Sequence, residues 1–369
     1  MKNNIKGPDV INNTVPFQLY LGDMYGCGNL RFVYPSLLLP QIAIETTRFV
    51  PQFSTFFVDD ADYYKPFAFT HFQRLSTKKH LEMIQGYKRT IRKQSKTFVF
   101  YETDDVLEDI PKWNQAATFY DKHDSALDII KECDGMTVST ELLKEKYKDY
   151  NNNIIVRPNH LPKTLWGKVN NNREFREKRP RILWAGSSNH FTTSELNGRG
   201  ITGGDFSNEL IDFIKKTTKK YQWVIMGGYP LQLSQLIKQN KIEYHGFQPI
   251  HSYPAYVKSL NPDICIAPLD DNEFNRYKSN IKTLEYSVLG CPGVYSNVEP
   301  YKDMTIKTNI SVEFISYIEQ LADDVDLRKE IWKQDYSMVR EQLFWEDNNY
   351  SNLIQWMKEY ATLLKNSKW

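Results

Sequence analysis

Short apolar runs alternate with helical patterns along this chain, and the alternation happens twice. In the first half the strand-like runs are FQLYLG (17–22), FSTFFVD (53–59), FAFTHF (67–72), TFVFYE (97–102), GMTVST (135–140) and NIIVRP (153–158). Segments with helical spacing separate them, among them 31–45, 77–94, 121–133 and 140–149. A polar, Pro-bracketed stretch, PKTLWGKVNNNREFREKRP (162–180), then reads as a linker. Beyond it the pattern restarts with ILWAGS (182–187), WVIMGG (223–228), IEYHGF (242–247), ICIAPL (264–269) and GVYS (293–296). Strands that alternate with helices form parallel sheets covered on both faces. Two such series predict an α/β chain of two doubly wound, Rossmann-like domains facing a central cleft. The first is expected over 1–165 and the second over 180–340. The amphipathic stretch 341–369 is expected to form a C-terminal helix that packs back across the domains. Ligands of doubly wound sheets bind beyond the carboxyl ends of the strands.

Composition narrows the classes. Formal net charge is +2 over 369 residues, so a polyanionic partner would need a local basic patch. Aromatic residues reach 14%, enough to fill sizeable cores. No stretch has the apolar length that spans a bilayer, and the polar start MKNNIKGPDVINNT lacks a secretory signal, so a cytoplasmic protein is expected. Cys27, Cys133, Cys265 and Cys291 have no metal-site spacing and read as reduced thiols.

The stretch KSNIKTLEYSVLGCPGVYS (278–296) carries the most chemistry. Ile281, Leu284, Val288 and Leu289 make a helical apolar stripe, and Glu285 falls inside it. Ser279 and Asn280 are good N-cap residues, and Gly290 with Pro292 ends the helix. The helix therefore opens at the carboxyl end of ICIAPL, where free N–H groups and Lys278 and Lys282 suit a phosphate. A phosphate at the cap and a carboxylate deeper on that face match a nucleoside diphosphate, the carboxylate accepting from ribose hydroxyls. A Glu paired with a lysine, or capping a neighbouring loop, fits the same pattern equally well.

KSNIKTLEYSVLGCPGVYSNVEPY resembles the nucleotide-binding signature of GT-B glycosyltransferases, close to the retaining group often called family 4. That resemblance implies a nucleotide-sugar transferase, with Glu285 on the donor ribose and Ser279, Asn280, Lys278 and Lys282 around the diphosphate. A UDP-sugar is favoured, with no tightly bound cofactor and no required metal. Many members carry a second Glu eight residues earlier; here that position is Tyr277, with Asp270, Asp271 and Glu273 nearby. ILWAGSSNH (182–190) is similar to the strand and loop that approach the donor phosphates, which adds Gly186, Ser187 and His190, and more loosely Arg199 in NGRGITGGD. YHGFQPIHSYPAYVKSLNPDICIAPL (244–269) follows the same family rhythm.

Three further features are read both ways. YGCGNLR (25–31) offers Gly26, Gly28 and Arg31 as a loop near phosphate or acceptor, or as an ordinary strand-to-helix turn. Asp104 and Asp105 end a strand, so Asp104 is a candidate base, as is His190 if the reaction inverts configuration; a solvated turn is the plainer account. YKRTIRKQSK (87–96) gathers Lys88, Arg89, Arg92 and Lys93 as a phosphate contact or a solvated face. Three identities are weighed for the molecule. One is an enzyme acting on 5-hydroxymethylcytosine in double-stranded DNA, since the donor helix distantly resembles T-even phage DNA glucosyltransferases. The second is an enzyme of bacterial surface glycans or lipid-linked acceptors. The third is a non-catalytic nucleotide- or glycan-binding protein on a degenerate GT-B fold. The oligomeric state stays open.

Overall fold

The computed structural model describes residues 13–38, 43–44, 47–56, 58, 60–64, 66–94, 97–120, 125–347, 358–359 and 362. The chain divides into two compact units. Unit 1 comprises Met1–Asp104, His123–Pro158 and Asn348–Trp369; unit 2 comprises Asp105–Lys122 and Asn159–Asp347. Most of the helix expected over 341–369 falls outside the described residues.

Unit 1 holds the strands β1 (Asn13–Tyr20), β2 (Ala43–Ile44), β3 (Thr47–Ser54), β4 (Phe69–Gln73), β5 (Phe98–Thr103), β6 (Gly135–Val138) and β7 (Ile154–Val156) in one sheet, ordered β2-β3-β1-β4-β5-β6-β7. All neighbours run parallel except β2, which meets β3 antiparallel. β4, β5 and β6 are buried at every position. That is why their sequences read as continuous apolar runs rather than alternating ones.

Unit 2 holds β8 (Arg181–Gly186), β9 (Gln222–Gly227), β10 (Glu243–His245), β11 (Ile264–Ala267) and β12 (Gly293–Tyr295) in a fully parallel sheet ordered β10-β9-β8-β11-β12. This is the doubly wound order, and it reverses between β8 and β11. Alternate side chains feed two cores. Leu183, Ala185, Cys265 and Ala267 pack under the helix Ile281–Leu289 on one face. Ile182, Trp184, Ile264 and Ile266 pack under the helices Asn208–Thr217 and Ser311–Asp323 on the other.

The polar stretch 162–180 is packed along unit 2 rather than being a free tether. Arg176 Nη1 pairs with the buried Asp263 at 3.0 Å, and Arg173 Nη1 donates to the Leu289 carbonyl at 3.2 Å. Gly290 ends the helix with φ +71, and a Cβ there would strike the Asn170 backbone carbonyl, so both conformation and space demand glycine.

Candidate functional site

The crossover between β8 and β11 marks the place where a sheet of this order takes its ligand. Three loops of unit 2 converge on it: the turn after β8, the Gly-rich stretch before Asn208, and the segment after β11. The helix Ile281–Leu289 opens in the last of these. Asn280 takes the N-cap position, but its side chain makes no capping bond; the Thr283 N–H turns back to the Asn280 carbonyl at 2.9 Å, and the Ile281 and Lys282 N–H groups before it are left for a ligand or solvent. Asn280 Nδ2 reaches Gln342 Oε1 at 3.4 Å instead. Ser279 Oγ accepts from Asn159 Nδ2 at 2.9 Å. Lys278 lies with its ammonium 4.5 Å from the Phe274 ring centroid.

Glu285 is buried, as the apolar stripe requires. Its Oε2 accepts from Lys282 Nζ at 2.8 Å and from the Tyr253 hydroxyl at 3.1 Å. The carboxylate therefore has a lysine partner and a phenol partner, which satisfies its burial without a ligand. Burial, and then the Glu285 charge, push the Tyr253 hydroxyl well above its usual range, so it stays a hydrogen-bond donor. At Tyr277, burial and a bond to Glu273 raise the hydroxyl as well.

After β8, Gly186 sits against Gly227 of β9, and Ser187 caps the short turn Ser188–His190 through the Asn189 N–H. His190 Nδ1 lies 2.7 Å from Asp205 Oδ2. Asp205 is itself buried, and its Oδ1 accepts from the Asp270 N–H and from Asn275 Nδ2, both at 2.8 Å. One carboxylate thus ties together all three converging loops. Arg199 does not join them in this structure: its side chain is largely exposed and pairs with Glu195 one turn back on the same short helix. Beside the network, a cavity of about 260 Å³ is lined by Asp205, Asp270, Ser207, Ser296, Thr308 and Ser311 among others.

In unit 1, the chain after β1 turns through Gly26–Gly28 into a helical segment that includes a π turn, Asn29–Val33. Asp23 Oδ1 accepts from the Tyr25 and Gly28 N–H groups, and a Cβ on Gly28 would meet the Asp23 carbonyl. The loop is thereby closed on itself. Arg31, a candidate for phosphate from its position in the sequence, is fully buried. Its Nε pairs with Glu102 Oε1 at 2.5 Å, and Glu102 Oε2 takes Gln73 Nε2 at 2.9 Å. Arg31 also donates to the Arg157 carbonyl, and Arg157 donates to the Arg31 carbonyl. Asp104 lies 2.5 Å from Arg74 Nη2. Burial would raise its carboxyl, but the Arg74 and Arg31 guanidiniums and bonds from Cys27 and Arg74 outweigh this and hold it below the usual range. A carboxylate so stabilised is a weak base near neutral pH.

Sequence reasoning passed over Asp205, Tyr253 and Asn275. The available signal for Asp205 was the Gly203-Gly204 pair that delivers it. Lys88, counted in a basic run, turns inward to Asp134 at 3.0 Å. The Arg92 and Lys93 side chains lie outside the described ones. Among the described residues, no group of three or more His, Cys, Asp or Glu could hold a metal ion, and no helix is long and apolar enough to cross a membrane.

Solved structures resemble the chain over nearly its whole length. Anabaena Alr3699/HepE, in complex with UDP and glucose, matches with a TM-score of 0.59 at 10% identity, covering 94% of this chain and 99% of its own. A glycosyltransferase from Rickettsia africae matches with a TM-score of 0.58 at 13% identity, over 96% of this chain and 100% of its own. The fold is GT-B. The DNA-modifying enzyme β-glucosyltransferase of phage T4, solved with and without its substrate uridine diphosphoglucose, shares this GT-B likeness with a TM-score of 0.52 at 9% identity, over 95% of this chain and 100% of its own. No family model and no curated protein matches the sequence.

Proposed function

We propose that this GT-B chain is a glycosyltransferase that moves a sugar from a UDP-sugar to an acceptor hydroxyl. One observation carries the reading. The buried Glu285 lies little more than a turn inside a helix whose first N–H groups have no side-chain cap, at the strand crossover of unit 2. The GT-B neighbour complexed with UDP and glucose supports the choice of nucleotide and is consistent with a hexose. In the donor complex the diphosphate takes the N–H groups after Ser279 and Asn280 with Lys278 nearby, and Gly186 and Ser187 approach it from β8. Glu285 then exchanges its lysine bond for ribose hydroxyls, which frees Lys282 to meet the phosphates.

The acceptor belongs to unit 1 in this reading. Likeness to a DNA-modifying enzyme supports 5-hydroxymethylcytosine in duplex DNA. The inward turn of Lys88 weighs the other way, because it removes a cation from the basic run 87–96. A saccharide or lipid-linked hydroxyl is therefore the second reading.

Two measurements test the proposal. A thermal-shift panel of UDP, GDP and UDP-glucose is expected to raise the melting temperature for the uridine compounds, since a ligand of the native state stabilises it by mass action. No shift with any nucleotide overturns the donor reading. UDP release is then followed with hydroxymethylated DNA, unmodified DNA and a saccharide acceptor. Turnover with only the first supports DNA, and turnover with only the last supports a glycan. Tight UDP-glucose binding with no release under any condition would mark a binding protein instead of an enzyme.

A further inference from the structure

His190 is held on several sides. Asp205 Oδ2 fixes its Nδ1, and Trp184 meets the ring edge-on with centroids 5.6 Å apart. The ring passes so close to Gly186 that a Cβ there would lie 3.1 Å from His190 Cδ2. Asp205 is fixed in turn by Asp270 and Asn275, and its own N–H donates to the His190 carbonyl at 2.9 Å. The backbone reaches it through Gly203 (φ +143) and Gly204 (φ +149), and a Cβ on Gly203 would collide with the Trp113 ring. Two glycines in a conformation that other residues rarely adopt, placed immediately before one buried carboxylate, point to a side chain whose position matters.

Nε2 is the open end of this assembly. Among the described residues no group bonds it, and the side chain is 21% exposed. Asp205 is the charged side chain within ion-pair reach. Trp184 and Phe191 beside the ring carry no charge, nor does the helix Gln115–Tyr120 that packs on the Ser188–His190 turn. With Nδ1–H directed at the carboxylate, Nε2 is an acceptor when the ring is neutral and a donor when it is charged.

We propose that His190, oriented by Asp205, serves as a cationic hydrogen-bond donor to the leaving diphosphate. This rests on the UDP-sugar reading and departs from a role as base. A diphosphate beside the imidazole would favour its charged form, and a charged ring has no lone pair to take a proton. In the step, the acceptor oxygen bonds to the anomeric carbon while the bond from that carbon to the β-phosphate oxygen breaks. The bonding pair passes to the phosphate oxygen. The acceptor proton goes to water, and His190 stays protonated, its Nε2–H directed at the oxygen that gains charge. Asp205 is a positioning residue: it touches only the imidazole and the neighbouring loops.

The test uses the full chain with UDP and UDP-glucose. Imidazole NMR of His190 is followed from about pH 5 to 9 with and without UDP. UDP is expected to extend the charged form to higher pH. Release of UDP from UDP-glucose is expected to slow as pH rises and the ring loses its proton. H190Q is expected to lose about 10²-fold in kcat with KM little changed and with that pH limb abolished. D205N is expected to keep UDP affinity and to lose less in kcat than H190Q, because it removes the contact that orients the ring and leaves the ring itself. An unperturbed imidazole in the UDP complex overturns the proposal, as does an H190Q enzyme with wild-type kcat and pH profile. Where UDP-glucose binds without turnover, the NMR titration alone decides. Failure of wild-type protein to bind either uridine compound overturns the donor reading itself, which separates the two outcomes.

Discussion

Both units place charged side chains at a sheet crossover, yet they use them differently. In unit 1, after β1 and β4, every candidate charge is tied within the unit. Arg31 is paired to Glu102 and clasped with Arg157 through reciprocal carbonyl bonds, and Arg74 neutralises Asp104. In unit 2, Glu285 is also paired, but after β8 and β11 two features are tied at one end and open at the other. Among the described residues His190 Nδ1 is bonded and Nε2 is not, and the helix Ile281–Leu289 begins without a side-chain cap. Neutralised charges hold a fold together; half-tied ones can meet a ligand without reorganising. The contrast fits the proposed donor site in unit 2 and predicts that damage in unit 1 shows first as lost stability.

The largest effect is expected at Arg31. Removing one partner of a buried pair leaves the other charge uncompensated, so Arg31→Ala should cost about 3–5 kcal/mol of folding free energy. Urea denaturation measures it. The fraction that remains folded should bind UDP as wild type does. A stable Arg31→Ala protein with weakened UDP binding would reverse the comparison and return Arg31 to the phosphates.

Next comes Glu285. If its carboxylate turns to ribose hydroxyls, Glu285→Ala should weaken UDP-glucose binding by about 1.5–3 kcal/mol, the worth of hydrogen bonds to a charged group. Calorimetric titration gives the affinity, and denaturation should show little loss, because Lys282 keeps partial access to water (its side chain is 19% exposed). Unchanged affinity would mean that the lysine and the tyrosine are all that Glu285 holds.

What the sequence made legible follows from distance along the chain. Strand and helix alternation is a local pattern, and both sheets appear, but β3 is Thr47–Ser54 where the run 53–59 was expected, and β2 (Ala43–Ile44) falls inside the segment 31–45 read as helical, because an edge pairing made with a neighbouring strand leaves no local period. Glu285 was legible as buried because its helical stripe spans nine residues, and its candidate lysine stands three positions away. Arg31 was not, because its partner Glu102 lies 71 residues further on and no local pattern marks the pairing. Ser279 and Asn159 are 120 residues apart, and Asp205 comes 15 residues after His190 across an irregular, Gly-rich stretch. Periodicity reports which face of an element is buried. It does not report which remote charge arrives to meet it.

Asp104 sharpens the unit 1 half by pH. Its folded carboxyl titrates below the ordinary value, so the unfolded chain takes up a proton first as pH falls. Its contribution to stability is complete above about pH 4 and is lost below, as pH falls through the lowered folded value. Arg74→Met should flatten that acid limb in denaturation curves taken at successive pH values. An unchanged limb would show that Arg74 does not hold the carboxylate.

The smallest effect belongs to Arg199, and it separates a surface charge from a site charge within unit 2. Its guanidinium pairs with Glu195 at i,i+4 while both side chains are more than half exposed (61% and 69%). Exposed pairs of this kind contribute about 0.3–0.5 kcal/mol, and salt screens them. Arg199→Ala should therefore shift stability by no more than that and leave KM for UDP-glucose unchanged. A rise in KM that disappears at high salt would instead place Arg199 in the donor's electrostatic field, and would mean that the Gly-rich stretch around Gly200 rearranges to bring the guanidinium to the phosphates when the donor binds.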